Sequence, residues 1–219
     1  MKKIILISLS SLALLTSCKK ENKDPDPGPF FISYTIGGTN FNITPGTDYL
    51  LKQGTGIASD AANNHQFFPT TQFFPANPHN ENIYRIGFLF SSGQTGFDID
   101  WVGVGNSIFQ ARTYNLCNTG VNWSNFLEGL SCSGGATVYY TPENGKLLNS
   151  AAVAQPAGSY FIIDSVINFH SSDTRPYYDF DKIISGRFQC RVFDPENHTV
   201  SLDLTLGKFR MPIWKNGFR

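Results

Sequence analysis

The chain has 219 residues with 17 basic and 17 acidic side chains. That balance excludes the broad basic field that nucleic acid or an anionic membrane surface requires. Only 16% of residues are charged, against 19 phenylalanines and 20 glycines. Few charges, many aromatics and frequent turn residues fit an extracytoplasmic β protein better than a helical cytosolic one, and the length is enough for one domain with a sizeable core.

Lys2 and Lys3 precede an apolar run, Ile4 to Leu15, broken only by Ser8, Ser10 and Ser11. A membrane-spanning helix needs about 20 apolar residues, so this shorter run predicts a cleaved secretory leader over residues 1–17. Its end, Leu15-Thr16-Ser17-Cys18, resembles the lipobox of bacterial lipoproteins. The resemblance implies that the Cys18 thiol takes a diacylglycerol, that cleavage falls before it, and that its freed amine is acylated. The chain would then be held to a membrane, since two or more acyl chains anchor stably where one does so only marginally. Losing Lys2 and Lys3 with the leader turns the even charge balance slightly acidic.

Lys19-Lys20-Glu21-Asn22-Lys23-Asp24 follows, without an Asp next to the cysteine. This Lys-then-acid pattern partly resembles the tethers of Bacteroidota outer-membrane lipoproteins. Pro25, Pro27 and Pro29 keep the segment extended and non-helical. Residues 18–29 are therefore read as lipidated cysteine and flexible tether, and residues 30–219 as the folded domain. The expected location is the outer membrane of the cell envelope, with the periplasmic or surface side left open.

Within the domain, Phe30 to Ile36 and Thr39 to Ile43 flank Gly37-Gly38, a hairpin signal. A Gly-rich stretch follows with a possible strand at Tyr49 to Lys52. Gln66-Phe67-Phe68-Pro69 recurs as Gln72-Phe73-Phe74-Pro75. The prolines argue against a central strand there and predict a loop folded onto the core. Asn82 to Phe90 alternates, with Tyr84, Ile86, Phe88 and Phe90 on the core face. Further strands are expected at Phe97 to Val104, Ile108 to Leu116 and Ala136 to Tyr140. Short helical turns are expected at Asn125 to Leu130 and Leu147 to Ala154.

The last third is the most regular. Ser159 to Phe169 places Phe161, Ile163, Ser165, Ile167 and Phe169 inward. Ile183 to Phe193 places Ile184, Gly186, Phe188, Cys190 and Val192 inward, with Arg187 and Arg191 outward. Val200, Leu202, Leu204 and Leu206 share a face, whereas Phe209, Met211 and Ile213 have the opposite parity. The change of phase predicts a bulge or tight bend at Gly207. Many short strands separated by turn residues predict an all-β fold, a single β-sandwich of roughly nine to twelve strands in which a jelly roll is possible.

Ile184-Ser185-Gly186-Arg187-Phe188, Phe193-Asp194, Val200-Ser201-Leu202 and Gly207-Lys208-Phe209 resemble the C-terminal hairpin of small Bacteroidota lipoproteins of unknown function. Ile36-Gly37-Gly38-Thr39-Asn40-Phe41 resembles their opening hairpin. That resemblance brings no active site with it.

Cys117 and Cys132 bracket a segment rich in Asn, Gly and Ser and are the expected disulfide pair, which leaves Cys190 as a buried thiol. His65, His79, His170 and His198 lack metal-ligand spacing, and no cofactor motif is present. Asp98 with Asp100, and Asp179 with Asp181, are paired carboxylates that could serve a hydrolase acting on glycans. Trp101, Trp123, Tyr177 and Tyr178 are aromatics that could stack on a sugar. Asp164-Ser165-Val166 matches the Asp-Ser/Thr-apolar pattern of Bacteroidota O-glycosylation, with Ser165 expected to face inward. The leading expectation is a membrane-anchored, non-enzymatic binding or accessory module that contacts a glycan or another envelope protein. The alternative is a secreted hydrolase using the acidic pairs.

Overall fold

The computed structural model describes residues 29–45, 49–59, 65–75, 85–90, 108–117, 134–142, 146–168 and 180–214. Their regular structure is almost entirely β. The strands are β1 (Phe31–Ile36), β2 (Thr39–Ile43), β3 (Tyr49–Ser59), β4 (His65–Pro75), β5 (Arg85–Phe90), β6 (Arg112–Tyr114), β7 (Ala136–Thr141), β8 (Leu148–Asn149), β9 (Tyr160–Asn168), β10 (Phe180–Phe193) and β11 (Ser201–Trp214). The all-β class expected from the sequence is present.

All eleven strands belong to one hydrogen-bonded sheet, ordered β2-β1-β11-β10-β8-β7-β5-β4-β3, with β9 branching from β10 and β6 pairing β9. A short parallel bridge, Leu116 to Ala136, joins the chain just after β6 to β7. Strands β10, β9, β6, β7 and β8 thereby close a ring of pairings. Phe88 of β5, whose hydrogen-bonding neighbours are β4 and β7, meets Phe161 of β9, Phe188 of β10 and Phe209 of β11 at centroid distances of 4.9, 5.2 and 4.8 Å. The sheet thus folds back on itself, and these edge-to-face rings fill the space between its arms. Each such pair contributes about 0.5–1.5 kcal/mol beyond its buried area.

The β1–β2 turn forms as the Gly37-Gly38 signal predicts. Both glycines have positive φ (55° and 83°), which a two-residue turn matching the strand twist requires. The inward faces of β5 and β10 also follow their alternation: Ile86, Phe88 and Phe90, and Ile184, Phe188, Cys190 and Val192, are buried.

Two glycines on the inward face of the longest hairpin are paired with rings. Gly186 stands opposite Phe209, and Phe188 opposite Gly207. A Cβ on Gly207 would lie 2.5 Å from Phe188 Cε1 and 2.6 Å from the Phe188 carbonyl oxygen. A Cβ on Gly186 would lie 2.5 Å from Phe209 Cζ and closer still to the Ile162 carbonyl oxygen. Each glycine leaves the space that its partner's ring occupies. This explains the two Gly-x-Phe triplets in physical terms, because an antiparallel pairing sets each glycine of one triplet against the phenylalanine of the other.

The phase change in β11 is a bulge. Phe188 pairs Gly207 but Cys190 pairs Leu204, and on the other side Ser33 pairs Lys208 but Thr35 pairs Thr205. β10 therefore skips one residue between Leu204 and Gly207, and β1 one between Thr205 and Lys208, intervals that share Leu206. Leu206 has φ 53° and is 69% exposed. Its expected inward position is corrected: the bulge turns it out of the core. A second bulge corrects β9. Ser185 pairs Ser165 while Gly186 pairs Ile163, so Asp164 is the extra residue. Beyond it the parity reverses. Val166 packs on the core, Ile167 is 40% exposed, and Ser165 shares the outward face with Ser185.

Two further expectations are corrected. The Phe-Pro repeat is a strand, β4, paired along its whole length with β3 and over Thr70 to Phe73 with β5. Pro69 and Pro75 lie outside the stretch paired on both sides, where a missing N–H costs no ladder bond. Pro212 follows the same rule, falling beyond the last β1 pair, Phe31 with Arg210. Residues 147–154 form β8 and a turn instead of a helical turn. Ser150 Oγ accepts a bond from the Val138 amide (2.9 Å) and Asn149 Oδ1 one from the Ala151 amide (2.9 Å). Such side-chain bonds offer the backbone an alternative to helix. The expected strand at Ile108 to Leu116 is present as β6 alone. The Tyr114 hydroxyl folds the preceding residues back, taking the Gln110 amide at 3.0 Å and lying against the Ile108 carbonyl. The strand expected at Phe97 to Val104 and the helical turn expected at Asn125 to Leu130 lie outside the described residues.

Where β10 exchanges β9 for β8, a side chain completes the ladder. The last β9 pair is Gln189 with Tyr160, and the β8 pair is Phe193 with Asn149. Between them the Gln155 amide nitrogen donates to the Arg191 and Ser150 carbonyls (both 2.7 Å), and its oxygen accepts from the Arg191 amide (2.8 Å).

Three substitutions test this description by urea denaturation. Gly207→Ala should destabilise by about 3 kcal/mol, because the new methyl group meets a ring and a carbonyl that have nowhere to go. Gln155→Ala should cost about 1–3 kcal/mol by stripping partners from a backbone amide and carbonyl. Leu206→Gly should raise stability by about 1 kcal/mol, since a positive φ is costly for leucine and not for glycine.

Candidate functional site

The turn from β10 to β11 is organised by Asp194, which is only 1% exposed. One carboxylate oxygen accepts the amides of Glu196 (2.8 Å) and Asn197 (3.2 Å). The other is ion-paired with Lys146, whose ammonium is also 3.8 Å from Glu196. The Lys146 hydrogen bond, with the two turn amides behind it, holds the Asp194 carboxyl below the usual carboxylate range, and Asp194 in turn raises Lys146. His198 Nε2 lies 3.2 Å from the Pro195 carbonyl within the same exposed turn. These contacts close the turn.

Cys190 is a free, buried thiol, as its inward parity predicts. Burial, and then the nearby Asp203 charge, push its pKa far up. It stays protonated at neutral pH and is no nucleophile. Cys117 is buried and disulfide-bonded, and its amide donates to the Ala136 carbonyl at 3.0 Å. Cys132 and Cys18 lie outside the described residues, as do Trp101, Trp123, Tyr177, Tyr178, Asp98, Asp100 and Asp179. Asp181 belongs to β10, with only its backbone described. Among the described residues no three His, Cys, Asp or Glu side chains gather where a metal ion could be held.

One cluster is only partly visible in the sequence. On the outward face, register sets Arg187 opposite Lys208, Ser185 opposite Arg210, and Arg191 opposite Asp203. Arg191 and Asp203 form a two-pronged ion pair (2.6 and 2.9 Å), which lowers the Asp203 carboxyl and raises Arg191. Arg187 reaches Asp164 at 3.3 Å, and Arg210 donates to Ser185 Oγ at 3.2 Å. The outward parity of Arg187 is visible in the sequence. Its proximity to Lys208 and Arg210 depends on the β11 bulge, which moves every later residue by one place.

No family model, curated protein or solved structure matches this chain.

A carboxyl held low in the folded state stabilises the fold above the ordinary carboxylate pKa of about 3.9, and that contribution disappears as pH falls through the folded value. Lys146→Met should therefore be less stable than the parent at neutral pH, and the two should converge as pH falls below about 4. Thermal unfolding at a series of pH values measures this. In the same folded protein Cys190 should resist a thiol reagent until denaturant is added.

Proposed function

We propose that this protein is a lipid-anchored protein of the cell envelope, held to the outer membrane through Cys18, whose β domain acts as a non-enzymatic binding or accessory module. The observation that carries this reading is the sequence from Lys2 to Pro29: a basic start, an apolar run too short to span a bilayer, Leu15-Thr16-Ser17-Cys18, and a proline-punctuated tether. The tether from Lys19 to Pro29 reaches at most about 36–40 Å when extended, so the domain would work close to its membrane. The proposed occupant of the domain is a glycan or another envelope protein, with Trp101, Trp123, Tyr177 and Tyr178 as its contact residues.

The carboxylate pairs of the hydrolase alternative, Asp98 with Asp100 and Asp179 with Asp181, lie outside the described side chains. Asp164, Asp194 and Asp203 each face a cation.

Expression of the Cys18→Ala variant tests the anchor. The parent should partition into the membrane fraction and carry labelled fatty acid, whereas the variant should lose the label while its domain keeps the same thermal transition. A variant that stayed acylated would overturn the proposal.

A further inference from the structure

Net charge argues against an extended basic field, yet the fold makes a local one. Arg187 and Lys208 are register partners on the outward face, and opposed residues of an antiparallel pair have Cβ atoms about 4.5–5.5 Å apart. Like charges so placed repel one another. Arg210 lies two residues beyond Lys208, opposite Ser185. Among the described residues the carboxylate beside Arg187 is Asp164, while Asp203 is taken by Arg191. Arg187 is 55% exposed. Lys208 is exposed too and has no ion pair among the described residues.

The surroundings say what kind of anion this face fits. In the register rows Lys208 is flanked by Ser33 and then Asn42, and Arg210 by Phe31 and Ser185. Three of these four neighbours are short polar side chains, and the fourth, Phe31, is apolar. Beside it the β11 bulge holds Leu206 in a left-handed conformation with 69% of its surface exposed. An apolar side chain next to cations suits the boundary between headgroups and acyl chains. The route of the chain points the same way. β1 starts at Phe31, opposite Arg210, and the residues before it lead back through the tether to Cys18.

We propose that the outward face of β9, β10, β11 and β1, centred on Arg187, Lys208 and Arg210, docks on the anionic lipid headgroups of the membrane that holds the anchor. This rests on the lipid-anchor reading above. An acyl anchor and a basic patch are the two signals that together give stable membrane attachment. The tether raises the local concentration of headgroups at the face, so a small cluster suffices where a free protein would need a larger one.

Lysine acylation with a soluble amine reagent tests the proposal on the full chain. The protein is reconstituted in vesicles of phosphatidylcholine alone, or with about a third phosphatidylglycerol, a level at which anionic lipid attracts basic side chains. Lys208 labelling should slow about tenfold in the anionic vesicles, as expected from a few basic contacts, and not in the neutral ones. Lys146, at the far turn, should react equally in both. Protection should disappear in about 1 M salt, where charge is screened within about 3 Å. It should also disappear in the variant R187Q/R210Q, which keeps the reporter lysine. Equal Lys208 rates in the two vesicle types would overturn the proposal, as would protection that persists in neutral vesicles or in high salt. The mass of the Cys18 peptide reports acylation separately, so equal Lys208 rates in protein that carries lipid count against the face, and a Cys18 peptide without lipid counts against the anchor.

Discussion

The rest of the fold depends on one steric exchange between two strands. Gly186 and Gly207 each lack the atom that would strike a neighbouring ring, and Phe209 and Phe188 occupy the space so left. With the rings lying over backbone, the layer beneath Phe88 is flat enough for its ring to meet Phe161, Phe188 and Phe209 together. Phe161 stacks on Phe209 at 5.3 Å and extends the cluster toward Phe90 and Tyr114. Close-packed interiors respond to a change of even one methylene, so the two glycines are as much a part of the core as the rings.

The register fixed by this exchange has consequences at both edges of β10. Toward β11 it forces the extra residue out at Leu206, and the cost is one strained backbone position. Toward β9 the bulge at Asp164 sets Ile163 opposite Gly186 and brings the Ile162 carbonyl against it. At the far end of β10 the sheet forks, and the Gln155 amide supplies the bonds that neither β9 nor β8 provides. Asp194 then closes the turn with two backbone amides and a lysine. The outward arrangement of Arg187, Lys208 and Arg210 follows from the same register and has no independent cause within the fold.

Period-two alternation made the core residues of β5, β10 and the last half of β11 legible in the sequence, although Leu89 and Ile183, on the opposite parity, are buried as well. The phase change near Gly207 was legible for the same reason. The Asp164 bulge was not, since Ile162, Ile163, Val166 and Ile167 are apolar on both parities and conceal the shift. Proline misdirected the reading of β4. The rule that prolines avoid paired positions holds, but where a second strand's pairing ends cannot be read along one chain. The candidate site was legible only in part. Alternation placed Arg187 outward, while the partners that make it a cluster sit twenty or more residues away and are brought in by pairing.

The most direct measurement of the central exchange is a proton NOESY spectrum of the folded protein. The account predicts strong cross-peaks between the Gly207 α-protons and the Phe188 ring, and between the Gly186 α-protons and the Phe209 ring. Absence of both sets, with the strand register otherwise intact, would contradict it.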